Sequence, residues 1–243
     1  MAKYGLIGKN ISYSFSKTFF SVKFEQENRQ DTYHNFDIES IDEFSKIVSK
    51  TDNLRGLNVT IPYKEAIIPL LDRIDNEAAE IGAVNTVKFQ NDGSLKGYNT
   101  DHYGFAKSLA NFLPIKEKTA LILGTGGASK AIKYVLDTMD FTYKIVSRTK
   151  TENTITYKDL TKDIVANHYL IINCTPLGTS PNVTECPNIP YQYITADHVL
   201  FDLIYNPPQT EFLKLGHAQG ARTSNGLKML EYQAKKAWKI WRT

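Results

Sequence analysis

The sequence predicts an α/β protein of two domains, and three stretches carry that prediction. Residues 119–146 run as strand, glycine-rich turn, helix and strand. Residues 56–64 run as a half-buried strand that ends at a proline and turns a corner at a lysine. Residues 227–241 form an amphipathic helix, expected to pack back onto the first half of the chain. The character of the chain changes at about residue 101 and returns at about 226. The domains expected are therefore 1–100 plus 226–243, and 101–225.

Tyr4–Gly8 is a short apolar strand, and in the hydroxyl-rich loop after it Ser12, Ser14 and Ser16 alternate. In an extended segment that spacing puts three hydroxyls on one side. Capping of the next helix is the other reading. That helix carries Phe19, Phe20, Val22, Lys23 and Phe24, and a strand over 33–38 and a helix over 41–49 follow. In the stretch Gly56 to Lys64, Leu57, Val59 and Ile61 alternate with polar residues. Pro62 lacks an N–H and biases Ile61 away from helical backbone, so the strand stops there. Thr60 and Lys64 then stand at the mouth of a sheet, and Ile67, Ile68, Leu71 and Ile74 predict a helix from Glu65.

A helix over 75–81 ends near Gly82, and a strand over 83–89 meets the hairpin chemistry of Asn91-Asp92-Gly93. The return strand leads to Asn99-Thr100-Asp101, where capping of a helix from about His102 is the default role for Asn99 or Asp101. Thr119–Leu123 is continuously apolar, as in a strand buried on both faces of a parallel sheet. Further strands are expected over 169–173, 199–203 and 221–224. Asn173–Gly178 lies past a strand end, on the rim where open α/β sheets bind ligands. Cys174 reads there as a packing residue rather than a nucleophile. Asn225-Gly226 opens the last helix, with Leu230, Ala234, Trp238 and Trp241 on one face.

The bulk composition, 42% hydrophobic and 23% charged, is that of an ordinary globular protein. A net charge of +3 with scattered basic residues leaves no footprint for nucleic acid. No apolar run approaches the ~18–20 residues of a membrane span. The N-terminal residues enter a strand without a signal-peptide apolar stretch, so a cytoplasmic location is expected. The two cysteines and five dispersed histidines form neither a disulfide framework nor a metal-ligand spacing. A small-molecule substrate is expected, with no nucleic acid and no membrane as partner. No exposed apolar stripe distinguishes a monomer from a homodimer.

The turn Gly124-Thr125-Gly126-Gly127-Ala128-Ser129 sits between a buried strand and a helix. Only glycine lets a backbone approach a pyrophosphate closely while the helix N-terminus favours its charge. A dinucleotide is therefore expected, with Ser129 at the third position of the usual glycine fingerprint. NAD sites commonly put an acid at the end of the second strand; here Ser147-Arg148-Thr149-Lys150 stands there. A guanidinium beside hydroxyls suits a 2′-phosphate, which points to NADP.

Taken together these motifs resemble the shikimate dehydrogenase family along essentially the whole chain. They run in order through Ser14-Phe15-Ser16, Asn58 to Lys64, Gly82 to Thr86, Asn99-Thr100-Asp101, Gly124 to Ala128 and Ser147-Arg148-Thr149. Asn173 to Gly178, Asp202 with Tyr205-Asn206-Pro207, Asn225 to Leu230 and Gln233-Ala234 complete them. The resemblance implies a mixed-sheet substrate domain and a Rossmann-like NADP-binding domain with a cleft between them. It also implies interconversion of 3-dehydroshikimate and shikimate in aromatic amino-acid biosynthesis. By that likeness Lys64 and Asp101 are the catalytic pair. Ser14, Ser16, Thr60, Asn85, Tyr205 and Gln233 would hold the substrate. Gly124, Thr125, Gly126, Gly127, Ala128, Ser147, Arg148 and Thr149 would hold NADP, with Gly226 and Met229 near the nicotinamide.

The chain departs from the family at several positions. Lys17 stands for a usual proline, Phe20-Ser21 for His-Asn, Lys9-Asn10 follows Gly8 where a proline is usual, Thr179 replaces a Met and Ser147 an Asn. These departures bear on the shape of the substrate loop and on preference for shikimate over quinate.

The chemistry also stands on the residues alone. Hydride addition to a ketone builds negative charge on oxygen, which needs a proton donor within reach. An ammonium donates and stabilises the alkoxide, and a carboxylate neighbour keeps it charged and aimed. The alternatives are a quinate/shikimate dehydrogenase of broader specificity and a non-catalytic NADP-binding regulator. A regulator would not require the Lys64 and Asp101 pair.

Overall fold

A computed structural model describes residues 1–11 and 14–243, so the expectation for Ser12 lies outside the described residues. Two compact units form, Met1–Tyr103 with Gln233–Thr243, and Gly104–Tyr232.

The first unit opens with β1 (Lys3–Gly8), α1 (Phe15–Gln26), β2 (Thr32–Asp37), α2 (Phe44–Lys50) and β3 (Leu54–Val59). It continues with β4 (Arg73–Ile74), α3 (Asn76–Ile81), β5 (Thr86–Phe89), β6 (Leu95–Tyr98) and the start of α4 (Asp101–Leu109). Its sheet has the order β2-β1-β3-β5-β6-β4. β1 pairs parallel with β2 and β3, while β5 pairs antiparallel with β3 and β6. The sheet is therefore mixed. Gly93 closes the β5–β6 hairpin with φ +83°, a conformation that L side chains resist.

Alternation along these strands sends side chains to two cores. Ile7, Leu57, Val59 and Val87 join Phe44, Tyr63, Ile67 and Ala78 on one face. Tyr4 and Leu6 join Phe20 and Phe24 of α1, with Trp238 and Trp241 on the other. Phe20 stacks on Tyr33 with ring centroids 4.8 Å apart. The departure from histidine at this position thus serves an aromatic core.

One expectation fails. The run from Glu65 is a turn with a short 3₁₀ segment (Ile68–Leu70), followed by β4, and not a helix. Pro69 has no N–H to give the Glu65 carbonyl, and Ile68 N takes that carbonyl instead at 3.1 Å. Ile67 is fully buried while Leu70 is exposed, so the apolar spacing reflects a packed turn rather than a helical face.

The second unit carries the rest of α4, then β7 (Thr119–Leu123), α5 (Gly127–Thr138), β8 (Thr142–Ser147), β9 (Ile155–Thr156) and α6 (Lys162–Ala166). After these come β10 (Leu170–Asn173), β11 (Val199–Asp202), α7 (Glu211–Ala218), β12 (Arg222–Ser224) and α8 (Leu227–Arg242), whose last part belongs to the first unit. The sheet order is β12-β11-β10-β7-β8-β9, every neighbouring pair parallel. Ala120, Ile122, Leu170, Ile172, Val199 and Phe201 face one core. Leu121, Leu123, Ile171 and Leu200 face the other. Burial on both faces explains why these strands are apolar without interruption.

In the first unit, Trp241 donates from Nε1 to the Val87 carbonyl at 3.0 Å and lies over Gly56. A Cβ on Gly56 would sit 2.3 Å from Trp241 Nε1, so only glycine admits the indole. Gly56→Ala is expected to destabilise the fold by about 1–3 kcal/mol through overpacking. Urea denaturation with an unchanged midpoint would contradict this.

Candidate active site

The corner after β3 presents Lys64. Thr60 N donates to Ile7 O, Tyr63 N donates to Thr60 O, and Val84 N donates to Lys64 O, so the backbone is held on both sides. The Tyr63 hydroxyl anchors it further by donating to Ile38 O at 2.8 Å. From this corner Lys64 Nζ reaches Asp101 Oδ2 at 2.7 Å, with both side chains largely buried.

Asp101 is the first residue of α4, where the helix dipole favours negative charge. The cap is Asn99, whose Oδ1 accepts from the backbone N of Asp101 and His102 at 3.0 and 3.3 Å. Asn99 in turn donates to Ala83 O. Capping thus falls to Asn99, and the Asp101 carboxylate turns to Lys64. The neighbouring His102, facing Glu77 at 3.4 Å, has its pKa lowered chiefly by burial.

A buried network of amides and hydroxyls belongs to the same unit. Asn85 Oδ1 accepts from Thr100 N at 2.7 Å, and its Nδ2 donates to Thr100 Oγ1 at 3.1 Å and Gln233 Oε1 at 3.2 Å. Thr86 Oγ1 donates to Asn85 Oδ1 and accepts from Asn58 Nδ2. The Tyr33 hydroxyl donates to Asn58 Oδ1 at 2.8 Å. Burial pushes the Tyr33 phenol up, and a hydrogen bond with Ser16 opposes that shift. The family resemblance gives substrate roles to Asn85, Gln233 and Ser16. Sequence reasoning missed Asn58, Thr86, Thr100 and Tyr33 as their partners. The available signal was polar residues inside otherwise buried strands, such as Asn58 between Leu57 and Val59.

Ser14 is the N-cap of α1, accepting from Lys17 N at 3.4 Å, so the capping reading applies to it. Ser16 is buried in the first turn of the same helix. Thr60 is half-buried just past β3. Tyr205 belongs to the second unit, in the loop after β11.

In the second unit the glycine turn fits a dinucleotide. Gly124 has φ +104° and packs its backbone on Thr175 and Cys174. A Cβ on Gly126 would meet nothing within 4 Å, so the turn borders open space there. α5 begins at Gly127 with no side-chain cap, leaving its first amides for an anion. Ser129 instead donates to Gly126 O, tightening the turn. At the end of β8, Ser147 Oγ accepts from Thr149 N, and Arg148 and Thr149 are exposed. Gly226 N donates to Ile204 O at 2.9 Å. The Met229 side chain sits in the unit's core. Burial raises the Cys174 thiol pKa, which suits packing and not nucleophilic chemistry. Among the described residues no group of His, Cys, Asp or Glu is placed to hold a metal ion. No described helix is long and apolar enough to cross a membrane.

The second unit also holds a buried acid, Asp202, at the end of β11. Burial pushes its carboxyl up to about 6 from an ordinary 3.8, against hydrogen bonds from Thr210, Ile204 and Asn173. The folded chain therefore holds this proton more tightly than the unfolded chain. Its contribution to stability is complete below about pH 4 and is lost as pH rises through about 6. That loss is on the order of 3 kcal/mol. Asp202→Asn cannot titrate. The stability of the wild type minus that of this variant is expected to fall by about that amount between roughly pH 4 and 7. Urea titrations across the range give the answer, and a flat difference would refute it.

Comparison with known proteins gives the family and the fold. Residues 6–87 match the family model described as the shikimate dehydrogenase substrate binding domain. A shikimate dehydrogenase (NADP(+)) from Methanosphaera stadtmanae is 37% identical, covering 98% of this chain and 90% of that protein. The crystal structure of shikimate dehydrogenase 1 from Peptoclostridium difficile is 40% identical with a TM-score of 0.84, covering 100% of this chain and 92% of that one. Shikimate 5-dehydrogenase from Thermus thermophilus, solved with NADP(H) and shikimate, is 29% identical with a TM-score of 0.88, covering 99% and 93%. With a mixed-sheet unit carrying the lysine–aspartate pair and a parallel-sheet unit carrying the glycine turn, the chain belongs to the shikimate dehydrogenase family.

Proposed function

We propose that the protein catalyses the reversible NADPH-dependent reduction of 3-dehydroshikimate to shikimate, a step of aromatic amino-acid biosynthesis. The observation that carries this reading is the Lys64–Asp101 pair at 2.7 Å, held in the unit that also contains the Asn85, Thr100 and Gln233 network. The relatives named for NADP(+) and the Thermus complex with shikimate support the choice of cofactor and substrate.

NADPH, when bound, supplies the hydride. Gly124, Thr125, Gly126, Gly127 and Ala128 would cradle its pyrophosphate, and Ser147, Arg148 and Thr149 its 2′-phosphate. Lys64 stands as the general acid, giving its proton to the carbonyl oxygen as negative charge develops there. Asp101, 2.7 Å away, aims the ammonium. In the oxidising direction the neutral lysine takes the proton from the alcohol.

Asn85 and Gln233 are amides held by their neighbours, suited to binding hydroxyls directionally. The Gln233 Oε1 already accepts from Asn85 and Thr100, which turns its Nε2 to the opposite side. Ser14, Ser16, Thr60 and Tyr205 would complete the contacts to the substrate's carboxylate and hydroxyls. Quinate is the second substrate to weigh, because Lys17, Phe20 and Ser21 depart from the family in the helix that carries Ser16.

The primary test follows near-ultraviolet absorbance of NADPH with shikimate or quinate, and NADP or NAD. Reduction confined to shikimate and NADP is expected. Turnover of quinate would establish the broader dehydrogenase, and NADP binding without any turnover would favour the regulator. Lys64→Ala is expected to lower kcat at least about a hundredfold with substrate affinity largely kept. Comparable turnover would remove Lys64 from the mechanism. Arg148→Ala is expected to raise KM for NADP much more than for NAD. Equal effects would show that Arg148 does not read the 2′-phosphate.

A further inference from the structure

We propose that Asp202 is a positioning residue for the nicotinamide half of the cofactor site, acting through the Asn173–Thr175 loop and the Leu203–Ile204 segment. The inference rests on the NADP reading above.

Asp202 is fully buried, yet no cation is among the partners of its carboxylate. Three donors converge on it instead. Oδ1 accepts from Asn173 Nδ2 and from Ile204 N, each at 3.0 Å, and Oδ2 accepts from the Thr210 hydroxyl. Asn173 carries the chain of bonds onward. Its Oδ1 accepts from Thr175 N at 3.0 Å and Thr175 Oγ1 at 2.7 Å, and Thr175 Oγ1 accepts from Leu177 N. The Thr175 methyl then stands 3.0 Å from the position of a Cβ on Gly124, against the glycine turn itself.

On the other side, Ile204 O accepts from Gly226 N at 2.9 Å. A Cβ on Gly226 would lie 2.1 Å from Leu203 O, so the start of α8 is moulded on this segment. One carboxylate thus ties together the loops after β10 and β11, the N-cap of α7 and the approach to α8.

The location of these loops gives the assignment its content. The strand order reverses at β7, with β8 on one side and β10 on the other. Dinucleotides bind across such a switch point, at the C-terminal ends of the strands. Arg148 marks the β8 side as the adenosine end, so the nicotinamide end falls on the side of β10 and β11. The ionised carboxylate accepts from all three partners and brings no donor of its own. An asparagine would keep one neutral oxygen for Asn173 and Ile204 and would face Thr210 with an NH2 group, so that hydroxyl must turn from donor to acceptor.

The test measures equilibrium binding of NADP and of 2′,5′-ADP, which lacks the nicotinamide half, to wild type, Asp202→Asn and Thr175→Val. The Kd for NADP is expected to rise roughly tenfold in Asp202→Asn and roughly threefold in Thr175→Val, as for one or two buried hydrogen bonds weakened or lost. The Kd for 2′,5′-ADP is expected to stay at the wild-type value in both. A merely structural role would weaken both ligands together, and that result, or an unchanged NADP Kd, would overturn the inference. If Asp202→Asn does not fold, Thr175→Val decides the question alone. Wild-type protein that binds NADP without oxidising shikimate would count against the proposed reaction only, leaving the binding comparison decisive.

Discussion

A single buried amide, Asn85, holds together parts of the first unit that the chain brings from far apart. It joins Thr100, at the end of the β6 return, to Gln233 of α8, which lies 148 positions beyond Asn85 itself. Both of its polar atoms are engaged, and through Thr86 and Asn58 the bonds continue to Tyr33 on β2. In a buried setting such a network allows little slack, because each unsatisfied donor or acceptor costs about 1–3 kcal/mol. The geometry that orients Asn85 also fixes the segment that runs from Thr100 into Asp101.

Neighbouring residues divide the work of that segment. Asn99 satisfies the first amides of α4, so Asp101 needs no capping role and its carboxylate meets Lys64. Lys64 is in turn held by the backbone bond from Val84, one residue before Asn85. The Lys64–Asp101 pair is therefore aimed by the amides and backbone groups around it. The second unit uses the same device at Asp202, where a buried acceptor gathers the amides and hydroxyls of adjacent loops.

The departures from the family pattern have physical roles of their own. Phe20 is fully buried and stacks on Tyr33, in a cluster with Tyr4, Phe24, Trp238 and Trp241. Lys17 and Ser21 are exposed on α1, while Ser16 points inward from its first turn. The aromatic cluster thus supports the polar network from behind.

Much of this was legible in the residues. The apolar run at Thr119–Leu123, the glycine turn, Arg148 without an acid and the strand ending near Lys64 are local patterns, set by periodicity and backbone chemistry within a few residues. Local pattern misled at Glu65–Ile74, where apolar spacing looked helical but Pro69 breaks the ladder and Arg73–Ile74 pairs with β6. It was silent on Asn58, Thr86, Thr100 and Asp202, whose roles depend on partners distant in sequence. It also left Ser14 and Asn99 each with two readings. The sequence by itself determined the fold class and the cofactor type, because these rest on residue type and short-range spacing. Only the tertiary structure decided which polar group caps, which pairs and which orients, because a hydrogen bond is made across the fold and satisfied one partner at a time.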